Sequence, residues 1–160
     1  MSPKLLSRPL KDGAKAPDFT LLDQDGAEVS LYDLLKEGPV VVFFYPRAFT
    51  PVCTAEACAF RDSFEEFASA GARIVGISTD GVEKQKTFHT KYQLSFPVLS
   101  DPKGDVYGAF GLRSSSKIWQ LNDRVTFVID REGTVRHHSS GALVSDPHVQ
   151  KSLKAVLALK

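Results

Sequence analysis

The stretch Phe43–Phe60, FFYPRAFTPVCTAEACAF, joins an apolar run to an amphipathic run and contains both cysteines of the chain. The apolar run, Val40–Tyr45, is short, β-branched and aromatic, which is typical of a strand buried on both faces. From Cys53 onward, apolar residues recur every three or four positions, which predicts a helix with one buried face. That face consists of Ala57, Phe60, Phe64, Phe67 and Ala68. A buried strand that leads into such a helix indicates an α/β fold.

The remaining segments predict one α/β sandwich around this strand and helix. The turn Asp25–Gly26 separates two alternating segments and predicts a β-hairpin near the N-terminus. Further strands are predicted for RIVGIS (73–78), VTFVID (125–130) and TVRHHS (134–139), with the last two paired as a hairpin. The order is hairpin, strand, helix, strand, helix, short strand, helix, two strands, helix. We therefore expect a parallel core with an antiparallel edge.

Two aspartates lie where helices are usually capped. Asp80 precedes an amphipathic segment and is the predicted N-cap of its helix. Asp146 is followed by Pro147, a pair that predicts a cap with proline at the first helical position. The predicted apolar faces are Val82, Phe88 and Tyr92 in the first helix, and Val149, Leu153, Val156 and Leu157 in the second.

The length and the charge of the chain exclude several classes of protein. Its 160 residues suit a single domain, 1–160, with a flexible N-terminal tail over residues 1–12. The net charge is +1 and the basic and acidic residues are interspersed, so neither nucleic acid nor a membrane surface is an expected partner. No apolar run is long enough for a membrane span or a secretory signal. Two cysteines do not make a disulfide framework, so we expect a cytoplasmic protein, or one in an organelle if a targeting peptide has been removed.

The spacing around Cys53 places its thiol at the start of the predicted helix. Thr50 is a favoured N-cap, and Pro51 then lies at the first helical position, where proline is tolerated best. Cys53 is the third helical residue, the position at which a capping box has a Glu or Gln side chain that reaches back to the backbone. A sulfur there lies in the positive end of the helix dipole, close to the Thr50 hydroxyl. Such surroundings favour the thiolate over the thiol.

Cys58 lies five positions further along the same helix, on a different side. Five residues correspond to a net rotation of about 140° and to a Cα–Cα separation of about 8.6 Å. A disulfide requires Cα atoms within about 7 Å of each other. Cys53 and Cys58 therefore cannot bond while this helix is intact, and its first turns must unwind if they do.

Thiolate character alone would not make Cys53 react fast with a substrate, because a thiolate of lower basicity is also a weaker nucleophile. Attack on a peroxide O–O bond additionally needs donors and a cation around the leaving oxygen. Thr50 and the backbone N–H groups of the turn are the available donors. Arg124, at the start of the apolar strand RVTFVID, is the best candidate for the cation.

These residues resemble the signature of a known family, the peroxiredoxins. YPRAFTPVCT resembles their P-x-x-x-T-x-x-C motif through Pro46, Thr50 and Cys53, and Cys58 is placed as in the branch of the bacterioferritin comigratory protein, or PrxQ. The segments APDFTLLDQDG, VVVFFYP, VGISTD, FPVLSD and RVTFVIDREG agree as well. The resemblance extends over about residues 13–159. Val52 departs from it, because glycine is common there.

The resemblance implies a thioredoxin-like fold with an N-terminal extension, and a thiol peroxidase that reduces hydrogen peroxide and organic hydroperoxides. It implies that Cys53 is the peroxidatic cysteine and is oxidised to a sulfenic acid. Cys58 is then the resolving cysteine, which forms an intramolecular disulfide that thioredoxin or a similar dithiol protein reduces. Pro46 shields the site, Thr50 orients thiolate and peroxide, and Arg124 supplies the cation. An intrachain disulfide favours a monomer.

Two other functions remain open at this point. A thiol–disulfide oxidoreductase is one, although such enzymes usually carry C-x-x-C rather than the C-x4-C found here. The other is a redox-regulated binding or holdase module without peroxide turnover. No cofactor is expected, and the four histidines, His89, His137, His138 and His148, have no ligand spacing that predicts a metal site.

Overall fold

The computed structural model describes residues 9–45, 48, 51–112, 125–140 and 146–159. In these ranges, seven strands form one sheet with the order β2-β1-β5-β4-β3-β6-β7. The strands are β1 (Thr20–Leu22), β2 (Glu28–Ser30), β3 (Val40–Phe44), β4 (Arg73–Ser78), β5 (Val98–Ser100), β6 (Val125–Ile129) and β7 (Val135–Ser140). The helices are α1 (Leu31–Leu35), α2 (Pro51–Asp62), α3 (Phe64–Ser69), α4 (Val82–Lys91), α5 (Asp105–Ala109) and α6 (Asp146–Leu157).

Strand β3 lies inside the sheet, and all of its residues are buried, as its apolar sequence predicts. It pairs in parallel with β4, which in turn pairs in parallel with β5. On its other side lie β6 and β7, both antiparallel to their neighbours. The hairpin of β1 and β2 joins the sheet through an antiparallel contact with β5. The predicted thioredoxin-like fold, with its mixed sheet and N-terminal hairpin, is confirmed.

Helices cover both faces of the sheet and complete a three-layer sandwich. One apolar cluster contains residues of α1 and α5 together with Phe44 and Phe127. The other contains residues of α2, α3, α4 and α6 together with Phe43 and Val128. Because consecutive strand residues point to opposite faces, Phe43 and Phe44 belong to different layers. Phe43 and Tyr45 therefore point to the face of the sheet on which α2 packs.

The single helix predicted around Cys53–Ala68 is in fact two helices, α2 and α3, separated at Ser63. Ser63 has φ −98° and ψ 7°, values outside the regular helical range, although its N–H still donates to the Ala59 carbonyl at 3.1 Å. The break changes the phase of the buried face, so Phe67 is buried whereas Ala68 is exposed. The prediction for Ala68 was wrong because hydrophobic periodicity does not register a break of one residue.

Two other helices also differ from the predictions. Helix α1 was not predicted, since five residues are too few for a periodic pattern to appear. In α6, Val149, Leu153 and Val156 are buried as predicted, but Leu157 is 51% exposed. Leu157 is about 100° further round the helix than Val156, which places it beyond the buried stripe.

Asp80 is not the N-cap of α4, which corrects the first of the two aspartate cap predictions. The N-cap is Gly81, and no side chain caps this helix. Asp80 is instead 9% exposed and turns its carboxylate into the protein. Helix α6 begins at Asp146, one residue before the predicted first helical position, Pro147. The side chains of Asp146 and Pro147 lie outside the described part of the structure, so the cap stays a prediction.

The chain is packed before Gly13, within the predicted flexible tail of residues 1–12. The Leu10 N–H donates to the Phe110 carbonyl at 3.1 Å, and Leu10 is 9% exposed. Further on, the Gly13 N–H donates to the Val135 carbonyl at 2.7 Å and extends the sheet at its β7 edge. For residues 1–8, which lie outside the described ranges, the tail stays a prediction.

Gly76 in β4 leaves the space that the Phe43 ring needs, which generates a first prediction. Gly76 is the register partner of Phe43, and a Cβ added there would lie 2.7 Å from the ring. The ring stacks on Phe60 of α2 with centroids 4.8 Å apart, so displacing it disturbs the support of that helix. We expect Gly76→Ala to destabilise the protein by about 1–3 kcal/mol. The midpoint of thermal unfolding should then fall by roughly 2–12 °C.

Gly81→Ser is the matched control for this experiment. A Cβ at Gly81 meets nothing within 4 Å, and serine is a favoured N-cap for α4. The midpoint for Gly81→Ser should stay at or slightly above that of the wild type. An unchanged midpoint for Gly76→Ala would show that the contact between Gly76 and Phe43 is not tight.

Candidate active site

The candidate site lies where β3 leads into α2. Helix α2 begins at Pro51, which confirms the predicted helix start and places Cys53 in the first turn. Three of the predicted site residues, Pro46, Thr50 and Arg124, lie outside the described residues. Their proposed roles are therefore not tested by the geometry below.

Cys53 is fully buried, with 0% of its surface exposed. It belongs to the apolar cluster between the sheet and α2, together with Tyr45, Ala48, Ala57 and Phe60. Its inward orientation confirms the prediction from the helical wheel. A thiol in this position is shielded from bulk solvent and from large partners.

Two buried tyrosines, Tyr45 and Tyr107, surround this position with neutral hydroxyl groups. The Tyr45 hydroxyl donates to Gln85 Oε1 at 2.7 Å, and the Tyr107 hydroxyl donates to the Ile77 carbonyl at 2.8 Å and also contacts the Tyr45 carbonyl. Burial raises the pKa of both phenols, and the negative charge of a Cys53 thiolate raises it further. Both tyrosines therefore stay protonated at neutral pH. The Tyr107 hydroxyl fixes backbone carbonyls at the ends of β3 and β4, and the Tyr45 hydroxyl fixes the Gln85 side chain.

A network centred on Asp80 holds the backbone of Ala48, between β3 and α2. Within residues 46–50, the structure describes Ala48, whose backbone N–H donates to Asp80 Oδ2 at 2.6 Å. The same oxygen accepts the Ser78 hydroxyl at 2.9 Å, and Oδ1 lies 3.2 Å from Lys84 Nζ. Sequence reasoning missed this function of Asp80 because a capping aspartate and an inward-facing one look alike in sequence.

Glu56 is a second polar residue that the sequence analysis did not select. It lies three positions after Cys53 on α2 and is only 1% exposed. Burying a carboxylate costs free energy unless other groups compensate its charge. The burial of Glu56 one helical turn from Cys53 is therefore a feature that any description of the site must include. The available signal was its position, since residue 56 falls on the inward stripe between Cys53 and Phe60.

Cys58 lies on α2 at intermediate exposure, on a different side from Cys53. The two residues are not joined by a disulfide, and the helix is continuous through both. This agrees with the separation of about 8.6 Å that helix geometry gives for their Cα atoms. The structure thus represents the form in which the helix is closed and the thiols are apart.

Each of the two histidines of β7 contacts one polar side chain. His137 Nε2 lies 2.8 Å from the Ser139 hydroxyl, and His138 Nδ1 lies 2.7 Å from Asp12 Oδ1. Across the described ranges, His, Cys, Asp and Glu side chains do not gather in groups of three or more that are able to hold a metal ion. In the same part of the chain, no helix has the length and apolar character needed to cross a membrane.

Comparison with known proteins decides the family. The profile of the AhpC/TSA family matches residues 13–138, most of the chain. The chain belongs to this family. A chloroplastic peroxiredoxin Q of Sedum lineare is 44% identical over 148 residues, which are 92% of this chain and 78% of that protein. These matches confirm the peroxiredoxin assignment and its PrxQ branch.

Solved structures agree with the sequence matches. Peroxidoxin BcpB of Mycobacterium tuberculosis superposes with a TM-score of 0.88 at 43% identity, over 94% of this chain and 99% of the other. Peroxiredoxin Q of Xanthomonas campestris gives a TM-score of 0.80 at 29% identity, over 95% and 98% of the two chains. As a peroxiredoxin, the chain is a thiol peroxidase, an enzyme that reduces peroxides with electrons from a thiol reductant.

The buried tyrosines predict how stability responds to alkaline pH. The pKa of Tyr45 and Tyr107 is raised in the folded state, mainly by burial, whereas an unfolded tyrosine ionises near pH 10. Their contribution to stability is complete below about pH 10 and is lost as the pH rises above it, because the unfolded state then releases protons that the folded state retains. We expect phenolate absorbance to show that two of the four tyrosines ionise together with unfolding.

Protein denatured before the titration is the control, and all its tyrosines should ionise near pH 10. The Tyr45→Phe variant should lose one of the two late-ionising groups. If all four tyrosines ionise while circular dichroism still reports the native fold, Tyr45 and Tyr107 are not held in the buried environment described above.

Proposed function

We propose that Cys53 is the peroxidatic cysteine of this peroxiredoxin and Cys58 the resolving cysteine. The observation that carries the proposal is the position of Cys53, fully buried in the first turn of α2, where a thiolate faces the positive end of the helix. In the first step the Cys53 sulfur attacks one oxygen of the hydroperoxide. An S–O bond forms, the O–O bond breaks, and the second oxygen leaves with a proton as water or an alcohol.

The leaving oxygen gains negative charge in this step, so donors around it lower the barrier. Thr50 is proposed to orient the thiolate and the peroxide, Arg124 to supply the cation, and Pro46 to shield the site from water. These three assignments rest on the family motif that the sequence carries. The hydroxyls of Tyr45 and Tyr107 are neutral and supply rigidity instead of charge.

In the second step the Cys58 thiolate attacks the sulfur of the Cys53 sulfenic acid. The S–S bond forms, the S–O bond breaks, and hydroxide leaves and is protonated to water. Because the two Cα atoms are about 8.6 Å apart on an intact helix, the first turns of α2 must open before the sulfurs meet. The position of Cys58, partly exposed on the same helix, allows it to approach without a second subunit.

The reductant is proposed to be thioredoxin or a similar dithiol protein, which returns two electrons and two protons to the disulfide. Organic hydroperoxides are proposed as substrates beside hydrogen peroxide, in line with the alkyl peroxide reduction named for the Xanthomonas campestris bacterioferritin comigratory protein, 27% identical to this chain. An intrachain disulfide supports a monomer. A reducing compartment, the cytoplasm or an organelle, supports the recycling step.

Full burial of Cys53 also weighs against the two alternative functions. A thiol–disulfide oxidoreductase must present its attacking sulfur to the disulfide of another protein, which a residue with 0% exposure does not do. A holdase needs no buried thiol at a helix start. A small hydroperoxide is the substrate proposed to reach such a site.

Replacement of each cysteine by serine tests the proposed division of roles. Cys53→Ser should abolish peroxide-dependent NADPH consumption in an assay with thioredoxin and its reductase, because a hydroxyl is a far weaker nucleophile than a thiolate. Cys58→Ser should still consume one equivalent of peroxide per protein in a fast reaction, but should lose most thioredoxin-driven turnover. Small thiols should restore part of it.

Ala59→Ser, next to Cys58 and equally half-buried, controls for the effect of a serine hydroxyl on α2. Its turnover should match that of the wild type. Near-normal turnover in Cys53→Ser would refute the assignment of the peroxidatic cysteine.

Hydrogen exchange tests whether the cycle opens the helix. After stoichiometric oxidation to the disulfide, amides in peptides covering residues 50–61 should lose protection, since the closed helix and the bond exclude each other. Local openings near the ends of elements commonly cost a few kcal/mol or less, so the rest of the fold should persist. Strands β3 and β6 should keep their protection in the same experiment.

Cys58→Ser treated with the same peroxide is the control, because it cannot form the bond and should retain protection over residues 50–61. Mass spectrometry of the wild-type sample should verify the Cys53–Cys58 disulfide. Unchanged protection in a sample that contains this bond would show that the segment does not open.

A further inference from the structure

Asp80 makes several buried polar contacts that the proposed chemistry does not use directly. Its side chain is 7% exposed and accepts hydrogen bonds from a backbone N–H and from a serine hydroxyl on one oxygen, Oδ2. The donors are Ala48 at 2.6 Å and Ser78 at 2.9 Å. The backbone N–H of Asp80 in turn donates to the Ser78 hydroxyl oxygen at 3.2 Å, which fixes the pair.

The contact with Ala48 reaches the segment that the proposed chemistry depends on. Ala48 is 2% exposed and lies two residues after Pro46 and two residues before Thr50. Pro51, where α2 begins, is only three residues after Ala48, so a displacement of the Ala48 backbone is transmitted along a short chain to the start of that helix. Asp80 itself is anchored at the end of β4, which is paired on both sides in the sheet. The hydrogen bond therefore connects the site to a rigid element.

The charge of Asp80 has the wrong sign for activating a thiolate. Negative charge at Asp80 acts on the same buried region as negative charge at Cys53, since both raise the pKa of Tyr45 and Tyr107 after burial does. Lys84 Nζ, 3.2 Å from Oδ1, offsets part of that charge. A carboxylate retained here despite this repulsion is explained by the hydrogen bonds it accepts.

We propose that Asp80 is a positioning residue for the peroxide reaction, whose carboxylate holds the Ala48 backbone and thereby the start of α2, the helix that carries Cys53. The proposal rests on the proposed function of Cys53. It concerns the closed form of α2, which reacts with peroxide, and it predicts that Asp80 does not assist the later disulfide step. The proposal also separates the effect of hydrogen bonding from that of charge, because the amide oxygen of an Asp80→Asn variant accepts the same two hydrogen bonds without a charge.

The test is a single-turnover reaction of fully reduced protein with hydrogen peroxide, quenched with an alkylating agent and analysed by mass spectrometry. Loss of the Cys53 thiol and formation of the disulfide are followed as two separate rates. Asp80→Ala should slow the first by about tenfold to 10²-fold, the range expected when a catalytic group is misplaced by up to about 1 Å. The rate of disulfide formation from the sulfenic acid should be equal to or faster than that of the wild type.

Asp80→Asn is the conservative variant and should react with peroxide within about threefold of the wild-type rate. Its Oδ1 replaces the acceptor for Ala48 and Ser78, and the half-exposed Lys84 is free to turn away from the amide. A residue that acts through its charge would fail in this variant, whereas one that acts through its hydrogen bonds is rescued.

Asp130→Ala is the matched control. Asp130 is 8% exposed, and its Oδ1 accepts the backbone N–H groups of Glu132 and Thr134, at 3.0 and 2.9 Å, in the turn between β6 and β7. This variant should lower the midpoint of thermal unfolding and leave the peroxide rate within about twofold of the wild type. It separates a general loss of stability from a loss of positioning.

Four results would overturn the proposal. Two concern Asp80 itself: a peroxide rate in Asp80→Ala within threefold of the wild type, or a peroxide rate in Asp80→Asn as low as in Asp80→Ala. The other two are a peroxide rate in Asp130→Ala that falls as much as in Asp80→Ala, and a disulfide step in Asp80→Ala that is slowed as much as its peroxide step. If Asp80→Ala does not fold, Ser78→Ala replaces it and should slow the peroxide step several-fold, and an unchanged rate there contradicts the proposal. Failure of the proposed function is distinguishable, because wild-type Cys53 would then remain unoxidised.

Discussion

The central constraint of this structure is that one continuous helix carries two cysteines that must bond during the proposed cycle. An α-helix fixes residues five positions apart on different sides and about 8.6 Å from each other, beyond the reach of a disulfide. The closed helix places Cys53 in a buried cluster with Tyr45, where its proposed reaction with peroxide takes place. The bonded form requires that the same turns open. Reactivity and resolution are thus assigned to two conformations of one short segment.

The fold and the thiol site were accessible from the sequence because each depends on local patterns. β3 follows from an uninterrupted apolar run, and its five buried residues confirm that interpretation. The start of α2 follows from the pair Thr50-Pro51, and the inward position of Cys53 follows from counting along the helix. In both cases the information lies within a few consecutive residues, where propensity and periodicity are most reliable.

The predictions failed where the outcome depends on residues far apart in sequence. Asp80 was interpreted as a cap, yet its carboxylate binds Ala48, 32 residues earlier, and no local pattern contains that contact. Glu56 is buried although its side chain is polar, and the surroundings of the helix determine that burial. Polar contacts between distant segments define the support of the site, and sequence periodicity contains little of that information.

The far end of α2 limits how much of the helix the proposed switch needs to open. Arg61 is partly buried, and its guanidinium donates to the Tyr92 carbonyl at 2.7 Å, at the end of α4. This contact ties the last turn of α2 to another helix, whereas Cys53 lies at the opposite end, where helices open most readily. Opening that begins at Pro51 and ends soon after Cys58 leaves Phe60 stacked on Phe43, so it exposes few apolar side chains and can be fast. A sulfenic acid that is resolved quickly has little time to meet a second peroxide, so a short segment anchored at its far end also favours resistance to overoxidation.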